Sequence, residues 1–291
     1  MCGRIAGQPP GRKGDLPMTA TNGSTPRSST REFVRSLGVP DLPPLTSPFD
    51  PGYDVATVVS HIEQSGHLIS LLKLSMCCWL IADESATRAK IAAAKRKHVT
   101  LVTGGGPFEI AKDRGRLEEY LELNASLGID RIEAGHGFTE MNHTPAQIVA
   151  LAGRYGLSVQ MELGDKHGGA FNDRVVGELI ATGMEWLDAG AVAIVVEGRE
   201  SAQQIGLFDD SGKLNFDAAE AFARAFGMER TIFEAPNKRS QFDFLNHFGP
   251  RVRLSNVRLE ELLRVEIYRR GLHSDAYGTM LAPLPLSEPV A

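Results

Sequence analysis

Short apolar runs rich in β-branched residues recur along the chain, and four of them end on a glutamate. They occupy 130–133, 158–162, 191–197 and 231–234, and each is followed by a loop and then a helix-like segment. A strand that is buried on both faces of a parallel sheet reads as such a run rather than as an alternating pattern. The pattern therefore predicts parallel strands that carry acidic side chains at their carboxyl ends.

The alternation of these runs with helical segments predicts a repeated strand–helix unit. Strands are predicted at Leu45–Phe49, Leu68–Leu72, His98–Val102, Asp130–Glu133, Ser158–Glu162, Ala191–Glu197, Thr231–Glu234 and Val252–Leu254. Helices are predicted at Val55–Gln64, Ser85–Lys97, Phe108–Leu127 and Leu259–Arg270. Eight such units in 291 residues favour an α/β fold with a single (β/α)₈ TIM barrel over an open doubly wound sheet. No GxGxxG motif follows the first strand, which argues against a dinucleotide-binding sheet.

The two ends of the chain differ in composition from the region between them. Residues 1–30 are rich in Gly, Pro, Ser and Thr and lack the apolar stretch of a signal peptide, so we predict a disordered leader. We predict the barrel over 31–278 and a flexible tail over 279–291. No apolar stretch reaches the roughly 18 residues that would span a bilayer, so no membrane partner is expected.

Charge and cysteine content narrow the functional classes. The net charge is −5 and the isoelectric point is about 5.9, which disfavours binding to nucleic acid. The three cysteines, Cys2, Cys77 and Cys78, form no CxxC motif, and the adjacent pair does not readily form a disulfide. We therefore expect a cytoplasmic protein that works in a reducing environment.

The strand-end acids are the first candidates for chemistry. In a barrel of parallel strands, Glu133, Glu162, Glu197 and Glu234 would converge on one mouth, where such enzymes hold their active sites. Carboxylate oxygens are the ligands that Mg²⁺ prefers, so these four residues are the predicted metal ligands. Some of them could instead pair with Lys or Arg, but burying all four without a cation would be costly.

Two lysines are the candidate acid–base groups. Lys166 lies just past the fifth predicted strand, where exclusion of water is expected to lower its pKa towards neutrality; the alternative is a solvated loop lysine. Lys73 follows the second predicted strand and is the second candidate. Glu162 completes the predicted catalytic group in addition to its place among the metal ligands.

Anion binding has several candidate donors. Arg199 follows Glu197 by two residues, where a guanidinium could hold a phosphate or a carboxylate through two hydrogen bonds. Gly104 and Gly105 could offer backbone N–H groups, although a simple tight turn is equally consistent with the glycine run. Ser255 and Asn256 follow the eighth strand, a frequent phosphate position in barrels.

Several motifs resemble the phosphosulfolactate synthase family (ComA-like proteins). The stretches VVEGRESAQQIGLF at 195–208 and IFEAPNKRSQ at 232–241 are similar to that family. The segment RRGL at 269–272 and the Gly-Gly with Phe-Glu at 104–109 resemble it as well. The resemblance covers roughly Phe33–Tyr277, nearly the whole region predicted to be ordered.

The resemblance implies a Mg²⁺-dependent lyase that adds sulfite to phosphoenolpyruvate. The product would be (2R)-phospho-3-sulfolactate, and the reaction would be the first step of coenzyme M biosynthesis. By the same resemblance, Lys166 would protonate C2 after sulfite attacks C3, and Lys238 would contact the substrate. The implied partners are these small molecules, with a homo-oligomer as the expected assembly.

The chain departs from the family pattern at four places near the predicted site. Pro51 replaces a lysine, Ser75–Cys77 replace part of an aromatic and glycine motif, His136 replaces an aspartate, and Asp165 replaces a lysine. Two of these changes remove positive charge, which weakens attraction for anions. Two alternatives therefore stay open: a lyase of the same fold that uses another nucleophile or enol phosphate, or a non-catalytic protein of the heat-stress-associated type.

Overall fold

The computed structural model describes residues 29–199 and 201–278, which fall into two compact units. The first unit reaches Val39 and contains helix α1 (Thr30–Ser36), which begins with a capping box between Ser29 and Glu32. The second unit begins at Pro40. The predicted leader, apart from its last two residues, and the predicted tail lie outside the described residues.

The second unit is a closed barrel of eight parallel strands. In chain order the strands are β1 (Thr46–Asp50), β2 (Leu71–Leu74), β3 (Thr100–Thr103), β4 (Arg131–Ala134), β5 (Ser158–Leu163), β6 (Ala193–Val196), β7 (Thr231–Glu234) and β8 (Arg253–Arg258). Each strand pairs with the next in the sequence, and β8 pairs with β1 to close the ring. The predicted (β/α)₈ fold is therefore confirmed.

Helices connect the strands and cover the barrel. They are α2 (Val55–Ser65), α3 (Cys78–Ile81), α4 (Glu84–Arg96), α5 (Gly105–Asp113), α6 (Leu117–Leu127), α7 (Pro145–Arg154), α8 (Asp173–Asp188), α9 (Phe216–Phe226), α10 (Lys238–Phe248) and α11 (Leu262–Arg269). Several helices begin at a residue whose side chain caps the first turn. At the start of α2, for example, the Asp54 side chain accepts the Thr57 N–H. Within the described ranges, no helix is both long and apolar enough to cross a bilayer.

Some of the predicted helix and strand boundaries differ from those in the structure, and one predicted helix end is confirmed. The region predicted as one helix at Phe108–Leu127 is two helices, because Gly115 adopts a positive φ of 66° between α5 and α6. Strand β2 begins three residues later than predicted, since Gly66–Leu68 form a 3₁₀ turn. Gly128, with φ 89°, ends α6 as expected.

A small apolar cluster inside the barrel supports the acids of the mouth. It consists of Ala193 and Val195 on β6 and Ile232 on β7, all buried. Residues two apart on a strand face the same way. Glu197 and Glu234 therefore stand directly above this cluster on the inner face, at the carboxyl ends of their strands.

A buried arginine ties the barrel together at its opposite end. Arg269 of α11 is only 1% exposed and donates hydrogen bonds to the carbonyls of Pro250 and Val252, each at 2.7 Å. It also donates to Thr46 Oγ1 at 2.9 Å and to the Glu266 carboxylate at 3.0 Å. The side chain thus links α11 to the amino-terminal ends of β8 and β1, where the ring closes.

Candidate active site

A pocket of about 510 Å³ opens at the carboxyl ends of the strands. Most of the residues predicted from the sequence line it, and they come from loops and strand ends all around the barrel. These residues are Lys73, Gly104, Gly105, Glu162, Lys166, Glu197, Arg199, Glu234 and Asn256. The predicted convergence on one mouth is therefore what the fold produces.

Three buried carboxylates in this pocket are close enough to share a cation. Glu162, Glu197 and Glu234 each offer an oxygen, and these oxygens all lie within 4.8 Å of one another. Mg²⁺ prefers carboxylate oxygens at about 2.1 Å, so the three residues have the right chemistry to hold this ion once their side chains rotate to close the spacing of up to 4.8 Å. Three carboxylates leave further positions of an octahedral site for water or substrate oxygens.

Glu133, the fourth predicted ligand, is engaged by protein groups. Its Oε1 lies 2.7 Å from Lys73 Nζ and accepts the Gly105 N–H at 3.1 Å. Its Oε2 accepts a hydrogen bond from Gln160 Nε2 at 2.8 Å. Glu133 lies outside the three-carboxylate cluster among the described residues, so its role as a ligand stays a prediction.

Lys73 offsets the negative charge of three of the acids. Its ammonium lies 2.7 Å from Glu133, 3.6 Å from Glu162 and 3.4 Å from Glu234, and the side chain is buried. Burial favours the neutral amine, but the three carboxylates outweigh it and hold the pKa of Lys73 well above its usual range. Lys73 is therefore a fixed positive charge rather than a group that titrates near neutrality.

Lys166 bridges two acids of the cluster at the edge of the pocket. Its Nζ lies 2.9 Å from Glu162 Oε2 and 3.2 Å from Glu197 Oε2. Burial lowers the pKa of Lys166, yet the attraction of these carboxylates is stronger and the net result is a raised pKa. The expected lowering of this pKa is wrong for the site as it stands, because the lysine gains two acidic partners.

The same charges shift the pKa values of two acids of the cluster in opposite directions. Burial raises the pKa of Glu234 well above its usual value, and the neighbouring Glu197 adds to this effect. Burial also acts on Glu162, but Lys166 and Lys73 outweigh it and lower the pKa of this carboxyl. In the pocket, Glu234 therefore favours its protonated form, whereas the neighbouring Glu162 favours its ionised form.

A backbone nest holds Glu234 in place. The N–H groups of Gly198 and Arg199 donate to Glu234 Oε2 at 2.9 and 3.0 Å. Arg199 adopts a left-handed φ of 52°, which turns both N–H groups towards the same oxygen. The Arg199 side chain lines the pocket and donates to the Lys166 carbonyl at 2.5 Å.

Of the remaining residues predicted to bind anions, some line the pocket and others do not. Asn256 lines the pocket with a left-handed φ of 54°, and Ser255 is buried with no partner for Oγ among the described residues. Gly104 and Gly105 line the pocket at the start of α5, although the Gly105 N–H is taken by Glu133. Lys238 lies apart from the pocket lining, where it pairs with Asp275 at 3.3 Å.

Glu109 is a positioning residue that the sequence analysis did not single out. It is fully buried on α5, and its carboxylate accepts the N–H groups of Gly137, Phe138 and Thr139, each at 3.0 Å. The Gly137 carbonyl in turn accepts the Lys166 N–H at 3.1 Å. Glu109 therefore orders the loop against which Lys166 rests. The Phe-Glu motif after the glycine run was the available signal.

We expect Glu109→Gln to reduce turnover about tenfold while leaving the fold intact. The amide keeps one acceptor oxygen but puts an N–H₂ group against backbone donors, which costs about 1.5–3 kcal/mol of charged hydrogen bonding. The measurement is kcat together with amide hydrogen exchange of residues 137–139. Glu122→Gln, on the exposed side of α6, is the matched control and should change neither. Unchanged exchange in the loop would contradict the assignment.

Most of the departures from the family pattern lie outside the pocket lining. Ser75, Met76 and Cys77 line it, whereas Pro51, His136 and Asp165 do not. Asp165 instead caps the turn after β5 by accepting the His167 N–H at 2.7 Å. The substitutions therefore alter one wall of the pocket and leave its acid cluster unchanged.

Comparison with known proteins points to one family. The sequence model of (2R)-phospho-3-sulfolactate synthase (ComA) matches residues 42–275. The phosphosulfolactate synthase of Methanocaldococcus jannaschii is 30% identical over 80% of this chain and 94% of its own length. That of Bacillus subtilis is 26% identical over 78% of this chain and 90% of its own. The deoxyribose phosphate aldolase of Aeropyrum pernix shares the fold alone, with TM-score 0.50, 15% identity, and 83% and 99% of the two chains covered.

Proposed function

This chain belongs to the phosphosulfolactate synthase family, and we propose on that premise that it catalyses the Mg²⁺-dependent addition of sulfite to phosphoenolpyruvate. The product is (2R)-phospho-3-sulfolactate, and the enzyme is a lyase of coenzyme M biosynthesis. One observation carries the proposal. A lysine donates to two of three clustered carboxylates at the carboxyl ends of barrel strands, in a pocket also lined by arginine.

The proposed reaction is a conjugate addition followed by a proton transfer. The sulfur lone pair of sulfite forms a bond to C3, and the C2–C3 π electrons move onto C2 and the carboxylate. A Mg²⁺ ion bound by Glu162, Glu197 and Glu234 would offset the negative charge that builds up on the substrate carboxylate. A proton must then reach C2 from one face to give a single enantiomer.

Lys166 is the proposed proton donor. Its raised pKa keeps the side chain protonated at neutral pH, so it stands ready as an acid rather than as a base. Its side chain is 23% exposed, whereas that of Lys73, which lines the same pocket, is only 8% exposed. The Arg199 guanidinium, which lines the same pocket, supports binding of an anionic substrate.

The test is a ³¹P NMR assay of the purified protein with phosphoenolpyruvate, sulfite and Mg²⁺. We expect a new phosphate-ester resonance that requires sulfite and disappears when EDTA removes the metal. Glu197→Gln should form no product even when Mg²⁺ is added, because the cluster loses one charged ligand. Glu185→Gln, on helix α8, is the control. Product formation that is indifferent to EDTA would contradict the metal assignment, and an unchanged phosphoenolpyruvate signal would refute the function.

A second candidate function has one observation in its favour. Met76 and Cys77 line the pocket at one of the departures from the family pattern, which gives this wall a different shape and polarity. The candidate is the same addition to an enol phosphate with a nucleophile other than sulfite. Consumption of phosphoenolpyruvate with another sulfur or carbon nucleophile, but not with sulfite, would favour it.

A further inference from the structure

We propose that Arg258 binds the phosphate group of the substrate and so sets the specificity of the pocket for phosphorylated acids. The identity of the substrate as an enol phosphate rests on the proposed function. The role of Arg258 as an anion-binding residue rests on its position and its surroundings. Neither the sequence patterns nor the family motifs identified this residue.

Arg258 stands at the corner where the barrel closes. It is the last residue of β8 and is aligned in register with Phe49 of β1. Arg258, Asn256 and Phe49 all line the pocket, and the Arg258 side chain is exposed to solvent rather than packed into the core. Pro51, which follows β1 at this corner, contributes no cation.

The other cations of the pocket already contact carboxylates or a backbone carbonyl. Lys73 contacts three carboxylates, and Lys166 contacts two. The Arg199 guanidinium donates to the Lys166 carbonyl. By contrast, no carboxylate of the described residues lies within 4.0 Å of the Arg258 guanidinium. The Arg258 guanidinium instead forms a hydrogen bond with the hydroxyl of Tyr53, and this hydroxyl donates to Glu260 at 2.8 Å.

This distribution of charge separates the pocket into two parts. A phosphate carries up to two negative charges, so it is repelled by the acid cluster on β5, β6 and β7. At the end of β8 it would find a guanidinium that forms two parallel hydrogen bonds to phosphate oxygens. It would also find the Asn256 amide, and the neighbouring Ser255 has a buried hydroxyl without a partner in the described part of the chain.

The experiment measures binding separately from turnover. Isothermal titration of the full chain uses phosphoenolpyruvate and, as a second probe, inorganic phosphate, both without sulfite. For Arg258→Gln we expect the Kd for phosphoenolpyruvate to rise about 10- to 100-fold, the size of a lost charged, bidentate contact. Arg258→Lys keeps the charge but loses the planar guanidinium, so its Kd should lie between those of the unaltered protein and Arg258→Gln.

A matched control lies at the other end of the same strand. Arg251 is exposed just before β8, and Arg251→Gln makes the same change in net charge far from the mouth. It should leave both Kd values unchanged. Thermal melting of each variant checks that the fold is kept, since Arg258 is exposed and its loss should not shift the melting temperature by more than a few degrees.

The outcomes separate this inference from the proposed function. Equal Kd values for the unaltered protein and Arg258→Gln would overturn it, and so would a failure of the unaltered protein to bind either probe. Arg258-dependent binding of phosphoenolpyruvate without any product from sulfite would refute the proposed reaction and leave the phosphate site standing. Product formation with a KM for phosphoenolpyruvate that is unchanged in Arg258→Gln would refute the Arg258 phosphate site and leave the proposed reaction standing.

Discussion

Replacement of Lys166 by methionine is expected to lower kcat for the proposed addition by about 10²- to 10⁴-fold, the usual contribution of a positioned acid. Methionine has a similar length and keeps the packing against Gly137 but carries no proton. The substrate binds through other groups, so the KM for phosphoenolpyruvate should change much less than kcat. Steady-state kinetics with both substrates varied would measure the two effects.

A second readout separates chemistry from a general loss of the site. Lys166 contacts Glu162 and Glu197, so its removal takes a competing positive charge away from the cluster. Mg²⁺ affinity, measured by titration, should therefore be equal to or higher than that of the unaltered protein. Lys213→Met, in an exposed loop, controls for the loss of one charge. A Lys166→Met protein that keeps most of its kcat would remove the lysine from the mechanism.

Replacement of Arg269 by methionine is expected to lower the free energy of unfolding by about 3–5 kcal/mol, the cost of breaking a buried ion pair from one side. The variant removes the Arg269 contact with the Glu266 carboxylate at 3.0 Å and leaves this buried acid with Arg270 as its arginine partner. It also leaves the Pro250 and Val252 carbonyls without this donor. Urea unfolding followed by far-ultraviolet circular dichroism would measure the difference.

Two further variants test whether the cost is electrostatic. Glu266→Gln in the Arg269→Met background removes a buried carboxylate that has lost one of its two arginine partners, so it should recover part of the lost free energy. Arg251→Met, at an exposed position, should lie within about 0.5 kcal/mol of the unaltered protein. If Arg269→Met unfolds at the same urea concentration as the unaltered protein, the arginine does not hold the closing strands together.

The fold was predictable because its signals are local and repeated. Most strand-forming runs are apolar and short, and the acids that end four of the runs mark the edge to which they belong. Errors arose where one residue decides the backbone path. Gly115 splits one apparent helix into two, and the 3₁₀ turn at Gly66–Leu68 delays β2. Apolar spacing alone does not report either event.

The site was predictable in its membership but not in its charge states. Closure of the ring brings Glu162, Glu197 and Glu234 together, as parallel strands require. The pKa of Lys166 depends on distances of about 3 Å to Glu162, four residues earlier, and to Glu197, after the next strand, and a sequence contains no such distances. Arg258 escaped notice for a related reason, because its value lies in forming no ion pair with a carboxylate of the described residues, which only the folded pocket reveals.

The charged residues of the barrel are divided between its two ends, with consequences for how the protein tolerates change. Arg269 and Glu266 close the ring at the amino-terminal ends of the strands, while the acids and lysines of the mouth lie at the carboxyl ends. Substitutions in the mouth loops, such as those at Ser75–Cys77, leave the closure contacts untouched. A sequence can therefore drift at the mouth, or be redesigned there, while its scaffold keeps the same resistance to unfolding.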